Sequence, residues 1–388
     1  MTRSRLLPIA AAVALVLGPA FALPAAAADP AAPAAPAASA AHSAPAQLPR
    51  PTGPYAVGRD TLHLVDTGRP DPWVPSAGPR QLMVSLSYPA RRGTGGPTAP
   101  YMTLDEARHL IRLRASGAAV PPEVISGVRT WAHTGARPAS GRFPLVVLSP
   151  GFSFPRSTLT GLADDLASRG YVVALVDHPY ENAGTTLPDG RTLPCVLCEE
   201  PPEGGMRAVA ESRAVDVSFV LDRLTGPRPA WRHARVIDAR RVGMGGHSIG
   251  GDAAAATMAA DARVRAGVNM DGTFFSPVPA GGLDGRPFLM FGATDRTADR
   301  TWDDAWVSLD GWKRWTTVAG ADHGSFTDVP LLGELAGIPD TAALPYARGA
   351  HLTRAYVAAF FDRHLKGLPR PLLDGPSPAY PEISVRRP

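Results

Sequence analysis

Gly246-His247-Ser248-Ile249-Gly250 constrains this chain more than any other stretch. It fits Gly-x-Ser-x-Gly, in which a serine stands on a sharp turn between a strand and a helix so that its hydroxyl is free above the sheet. An apolar strand, Arg241-Val242-Gly243-Met244, runs into it, and a small-residue helix over 251–260 runs out of it. Such a turn strains the serine backbone, and glycines two residues to either side leave room for it. The pentapeptide alone arises by chance, and a structural serine turn is the competing reading. The strand–turn–helix setting makes Ser248 the expected nucleophile.

The rest of the chain alternates in the way such a turn requires. Residues 61–65 and 82–88 alternate as strands. Leu145-Val146-Val147-Leu148 and residues 171–176 are continuous apolar runs, as buried parallel strands are. Further strands are expected over 264–270, 288–291 and 315–318, with helices over 156–169, 203–224 and 351–365. Before the first buried strand, Thr103-x-x-Glu106 is a capping box opening one helix. Pro121-Pro122 opens a second, with Val124, Val128 and Trp131 on one stripe. This predicts an α/β-hydrolase fold: a mostly parallel central sheet, helices on both faces, and a small helical insertion at about residues 100–135, before the oxyanion strand. The insertion reads either as ordinary core packing or as a lid or lipid-facing surface.

In such sheets active groups gather at the C-terminal ends of the strands. A serine hydroxyl needs a base within hydrogen-bond reach, and His323, in a glycine-flanked loop after a late strand, is the expected one. His178 ends a strand, where it lines the pocket or makes a structural hydrogen bond. His247 is expected to point away along the turn. Two carboxylates end strands and compete as the acid that orients His323. Asp295 is slightly favoured by its position after the penultimate strand, and Asp271 is the alternative. The oxyanion hole needs two backbone N–H groups. Ile249, after the nucleophile, supplies one. In Ser149-Pro150-Gly151-Phe152, proline has no N–H, so Phe152 is the best second donor. Phe152, Phe154, Phe274 and Phe275 lie near the expected mouth, either as an acyl pocket or as core.

Composition narrows the partners. Arg3 and Arg5, the apolar stretch over 6–23 and the small residues around 25–28 read as a signal peptide over 1–28. Ala and Pro dominate 29–51, an expected linker, leaving 52–388 as the catalytic domain. The formal charge of +4 falls to +2 without Arg3 and Arg5, so nucleic acid is not an expected partner. Cys195 and Cys198 read as a disulfide in an exported chain; redox and zinc readings lack their context. No metal or organic cofactor is expected. Oligomeric state is not readable.

Several segments together resemble the plasma-type (group VII) platelet-activating-factor acetylhydrolase family and its secreted actinobacterial branch. They are Tyr88-Pro89, Phe143-Pro144-Leu145-Val146-Val147, Ser149-Pro150-Gly151-Phe152, Asp164-Asp165-Leu166-Ala167-Ser168-Arg169-Gly170-Tyr171, the elbow with Gly251, and Asn269-Met270-Asp271-Gly272. The resemblance spans most of 82–365. It places the acid on the strand after the elbow, which carries the role onto Asp271 and reverses the lean toward Asp295. Pro150 departs from the family pattern, where a histidine usually precedes the glycine. The resemblance implies a secreted serine carboxylic-ester hydrolase acting on short-acyl esters, acetylhydrolase-like on phospholipids with short sn-2 chains, with transient contact to a lipid surface. A secreted lipase or polyester hydrolase shares the constellation. A catalytically silent hydrolase-fold binding protein and a peptidase or amidase are the remoter alternatives.

Overall fold

The computed structural model describes residues 45–386. The expected leader over 1–28, and the expected linker as far as residue 44, lie outside the described residues.

The chain opens with a long antiparallel hairpin, β1 (Ala56–Pro70) and β2 (Pro79–Ala90). The insertion follows as α1 (Leu104–Arg114), α2 (Pro122–Ser126) and β3 (Ala132–Thr134). Next come β4 (Phe143–Ser149), α3 (Thr160–Ser168) and β5 (Val172–Val176). A small hairpin, β6 (Gly184–Thr186) with β7 (Thr192–Pro194), precedes α4 (Gly205–Thr225). The second half runs β8 (Ile237–His247), α5 (Ile249–Ala260), β9 (Val264–Met270), β10 (Phe288–Ala293), α6 (Arg300–Ser308) and β11 (Lys313–Val318). It closes with α7 (Val329–Leu335), α8 (Tyr346–Lys366) and β12 (Ile383–Arg386).

One sheet carries the order β12-β11-β10-β9-β8-β4-β5-β2-β1-β3. Its centre, from β5 to β11, is parallel throughout. Strand alternation divides the core cleanly. Leu145 and Val147 of β4 pack with α4, α5 and α6, whereas Val146 and Leu148 pack on the other face with α3 and α8. The period of two sends successive side chains to opposite faces, and helices cover both. This is the expected α/β-hydrolase architecture.

Two expectations change. The second insertion helix is a single short element ending at Gly127, where a Cβ would lie 2.6 Å from the Glu123 carbonyl oxygen. Val128 and Trp131 lie beyond it. Val128 is buried in the insertion's own cluster, and the Trp131 indole donates to the Leu48 carbonyl at 2.8 Å. That bond belongs to the second change. Residues 45–51, read as linker, pack on the domain: Leu48 is buried beside Leu110 and Ile125, and Arg354 holds the Pro49 carbonyl at 3.1 Å. The Thr103–Glu106 capping box is present at the start of α1.

Candidate active site

Ser248 and Asp271 stand directly at the C-terminal ends of β8 and β9, and His323 opens a 3-10 turn five residues beyond β11. Ser248 joins β8 to α5 at φ 56°, ψ −127°, a left-handed conformation that a non-glycine residue adopts only under constraint. The flanking glycines are required by contact. A Cβ on Gly246 would fall 2.2 Å from the Gly250 carbonyl carbon, and one on Gly250 would fall 2.1 Å from the Ser149 carbonyl oxygen. The Ser248 amide donates to the Met270 carbonyl at 2.8 Å, which sets the elbow against the end of β9.

Asp271 follows β9 directly, also left-handed at φ 60°, and is fully buried. Its Oδ2 lies 2.5 Å from His323 Nδ1, and its Oδ1 accepts the Ala293 amide at 2.8 Å. Arg296 places Nε 3.4 Å from the same Oδ1. A carboxylate on Nδ1 fixes the tautomer with the proton there and leaves Nε2 as the acceptor. The ring that carries Nε2 is half exposed, with 50% of the His323 side chain open to solvent. Asp295 is not at this centre. It sits in a short 3-10 turn after β10, its side chain 68% exposed and paired with Arg296 at 3.4 Å. The structure thus brings Asp271, and not Asp295, to His323.

The loop after β4 reaches the elbow. A Cβ on Gly151 would lie 3.5 Å from Ser248 Cβ and 2.8 Å from His247 Nδ1. Among the described residues, neither the Phe152 nor the Ile249 amide donates to a protein acceptor. Free amides beside a strained serine are what an oxyanion site requires. Phe152 and Ile249 share an apolar cluster with Leu197, Val209, Ala210, Trp73 and Met206. Leu197 lies inside the small loop closed by the Cys195–Cys198 disulfide. Of the other phenylalanines, Phe274 packs into the core on Phe288 and Trp302, Phe275 is exposed, and Phe154 lies under the Arg114 guanidinium.

Sequence reasoning missed two things. His247 does not point away idly. Its Nε2–H donates to the His323 carbonyl at 2.6 Å and its ring lies on the His323 ring at 4.6 Å. Burial, with His323 alongside, pushes its pKa down to about 3, so it stays a neutral donor. The second is a buried Ser–His–Asp array. Ser149 Oγ lies 3.0 Å from His178 Nε2, and His178 Nδ1 lies 2.8 Å from Asp216 Oδ2. All three are buried. The strand-end position of His178 was the one available signal. Ser149 and Asp216 carry none, because they meet only through the fold.

The comparisons with known proteins point the same way. Residues 40–189 match the family described as platelet-activating factor acetylhydrolase, isoform II. That span includes the Ser149–Phe152 loop and ends before Ser248. The chain is 29% identical over 369 residues to a probable 1-alkyl-2-acetylglycerophosphocholine esterase of Arthroderma benhamiae, covering 87% of this chain and 92% of that one. It is 46% identical to a ferulic acid esterase from Streptomyces cinnamoneus whose structure superposes with a TM-score of 0.80, covering 89% of this chain and 100% of that one.

Proposed function

The chain belongs to the platelet-activating factor acetylhydrolase family of α/β hydrolases and is a carboxylic ester hydrolase; on that premise we propose that it cleaves short-acyl esters by acyl transfer through Ser248. His323 Nε2 takes the hydroxyl proton as Ser248 Oγ attacks the ester carbonyl. Asp271 holds the imidazole and stabilises its charged form. The Phe152 and Ile249 amides hold the oxyanion. His323 then gives the proton to the leaving alcohol as the acyl–oxygen bond breaks, and water repeats the sequence on the acyl-enzyme to release the acid.

The observation that carries this reading is the 2.5 Å bond between Asp271 and His323 at the strand end that also holds the Ser248 amide. The likeness to a probable 1-alkyl-2-acetylglycerophosphocholine esterase supports a short acyl group. Acetylated phospholipids, named by the fungal relative, are the expected physiological class. An apolar pocket of about 210 Å³ between α1 and α7, lined by Leu110, Ile111, Phe154 and Leu332, supports transient contact with lipid. Leu113 of α1, Val124 of α2 and Ile338, three residues beyond α7, are exposed. A second reading is an aromatic acyl group. The partly buried Trp73 and Phe152 beside Ile249 favour it, as does the likeness to a ferulic acid esterase.

A nitrophenyl ester series from acetyl to long acyl, with methyl ferulate and an acetylated glycerophosphocholine alongside, tests these readings. Preference for acetyl esters, lost in Ser248→Ala, supports the first. Preference for ferulate moves the reading to the second. Preference for long chains makes the protein a lipase, and no hydrolysis of any ester by folded protein overturns both. The leader-like sequence and the Cys195–Cys198 disulfide support export. N-terminal sequencing of protein from the culture medium should begin near residue 28, whereas intact Met1 in the cytosol would contradict export.

A further inference from the structure

The loop that carries the Phe152 amide is held from inside the protein by a charged network. Arg213 is central to it and fully buried. Its Nη1 donates to the Pro150 carbonyl at 2.5 Å and to Ser149 Oγ at 3.2 Å, and its Nε donates to Glu181 at 2.7 Å. Glu181 grips the other side of the same loop, since its backbone carbonyl accepts the Ser153 amide at 2.8 Å. The 150–151 and 152–153 peptide planes are therefore both fixed, and the plane between them carries the Phe152 N–H. Ser149 Oγ also meets His178, which rests on Asp216, and Asp216 is paired with Arg80 at 2.7 Å.

Such a network is a poor way to gain stability. Removing several charges from water costs about as much as their pairing returns, and apolar residues of similar volume often do as well. What it supplies is direction: a guanidinium presents its donors in one rigid plane. Nor does its serine serve as a nucleophile. Ser149 is buried, is in register with Gly246 in the sheet, and gives lone-pair density to Arg213.

We propose that Arg213, held by Glu181 and by the Ser149–His178–Asp216 array, is a positioning residue for the oxyanion loop. It fixes the Pro150 carbonyl and so aims the Phe152 amide at the developing charge. The proposal rests on the acyl-transfer reading at Ser248.

The test measures kcat and KM on nitrophenyl acetate, together with affinity for an alkyl boronic acid whose tetrahedral serine adduct places an oxygen in the oxyanion site. Arg213→Met should lower kcat by about 10- to 100-fold with KM within about twofold, and should weaken the boronate by a similar factor. Arg213→Lys should recover part of both losses. Ser149→Ala, which removes one acceptor and keeps the Pro150 contact, should lose about threefold to tenfold in kcat. Folded Arg213→Met with wild-type kcat and boronate affinity overturns the proposal. Should Arg213→Met not fold, Ser149→Ala decides alone: a loss in kcat at constant KM supports it, and wild-type kcat overturns it. Ser248→Ala, run in parallel, separates the two ideas. Full esterase activity there sinks the acyl-transfer reading itself, whereas a dead Ser248→Ala beside an unaffected Arg213→Met sinks only the positioning role.

Discussion

Two Ser–His–Asp arrays lie within one molecule, and only one has an exit. Ser248, His323 and Asp271 stand at the open end of the sheet, with the imidazole half exposed and the serine on a strained turn. Ser149, His178 and Asp216 lie inside the protein, where His178 Nδ1 meets a carboxylate as His323 Nδ1 does, and Ser149 Oγ is 3.0 Å from His178 Nε2. Their surroundings differ in charge as well as access. Burial, reinforced by Arg213, lowers the His178 pKa, and although burial opposes it, Arg80 holds Asp216 well below the usual carboxylate range. Among the described residues, Asp271 meets a single guanidinium at 3.4 Å, whereas Asp216 meets both Arg69 and Arg80. The contrast teaches that a triad is defined by a reachable nucleophile and an unshared hydroxyl, and that the same three side chains otherwise make a brace.

The largest effect that could break this contrast is at the two serines. Ser248→Ala should lower kcat/KM by about 10⁴-fold or more, while Ser149→Ala stays within about tenfold of wild type. Comparable losses in steady-state assays would erase the distinction. The acids come next. Asp271→Asn should cost on the order of 10³- to 10⁴-fold in kcat, because the imidazole loses both its tautomer and its charge partner. Asp295→Asn should stay within about twofold, and a larger loss would return the acid role to the loop after β10. His247→Phe keeps the ring contact with His323 and removes the 2.6 Å bond to its carbonyl. A drop of about tenfold in kcat, with unchanged Tm, is expected. Unchanged kcat would show that the His323 loop holds itself.

The smallest effect sharpens the comparison through stability. Asp252, in the first turn of α5, accepts the Ser276 amide and has no ion pair among the described residues. Burial pushes its pKa up to about 7. A raised carboxyl binds a proton more tightly in the folded state, so its contribution is full below about pH 4 and is lost as pH rises toward about 7. Asp216 is lowered, so its contribution is present at neutral pH and is lost on acidification below about pH 4. Asp252→Asn should therefore gain Tm relative to wild type between about pH 5 and pH 8, read by thermal melts. Asp216→Asn should lose Tm at neutral pH and flatten the acid limb. The same slope for both would show that the Arg80 pairing does not compensate Asp216.

What the sequence made legible was local. The elbow announces itself because its glycines, strand and helix are contiguous, and close contact at Gly246 and Gly250 leaves no room for a side chain. Continuous apolar runs marked β4 and β5 because both faces of those strands are covered. Strand-end position alone leaned slightly to Asp295, and only the family resemblance carried the role onto Asp271. A left-handed turn at Asp271 aims it at His323, and the amide of Ala293, two residues before Asp295, helps hold it there. The stripe of Val124, Val128 and Trp131 misled because apolar spacing does not reveal that Gly127 ends the helix. The brace around Arg213 was invisible for a different reason. Its members come from β4, from the stretch after β5 and from α4, and no local rule brings residues 149, 178, 181, 213 and 216 together.

The most direct measurement is covalent labelling of the folded wild-type enzyme with a fluorophosphonate, followed by peptide mass spectrometry and residual activity. The account predicts one label per chain, on Ser248, rising in step with loss of esterase activity, and none on Ser149. A label on Ser149, or full labelling of Ser248 with activity retained, would contradict it.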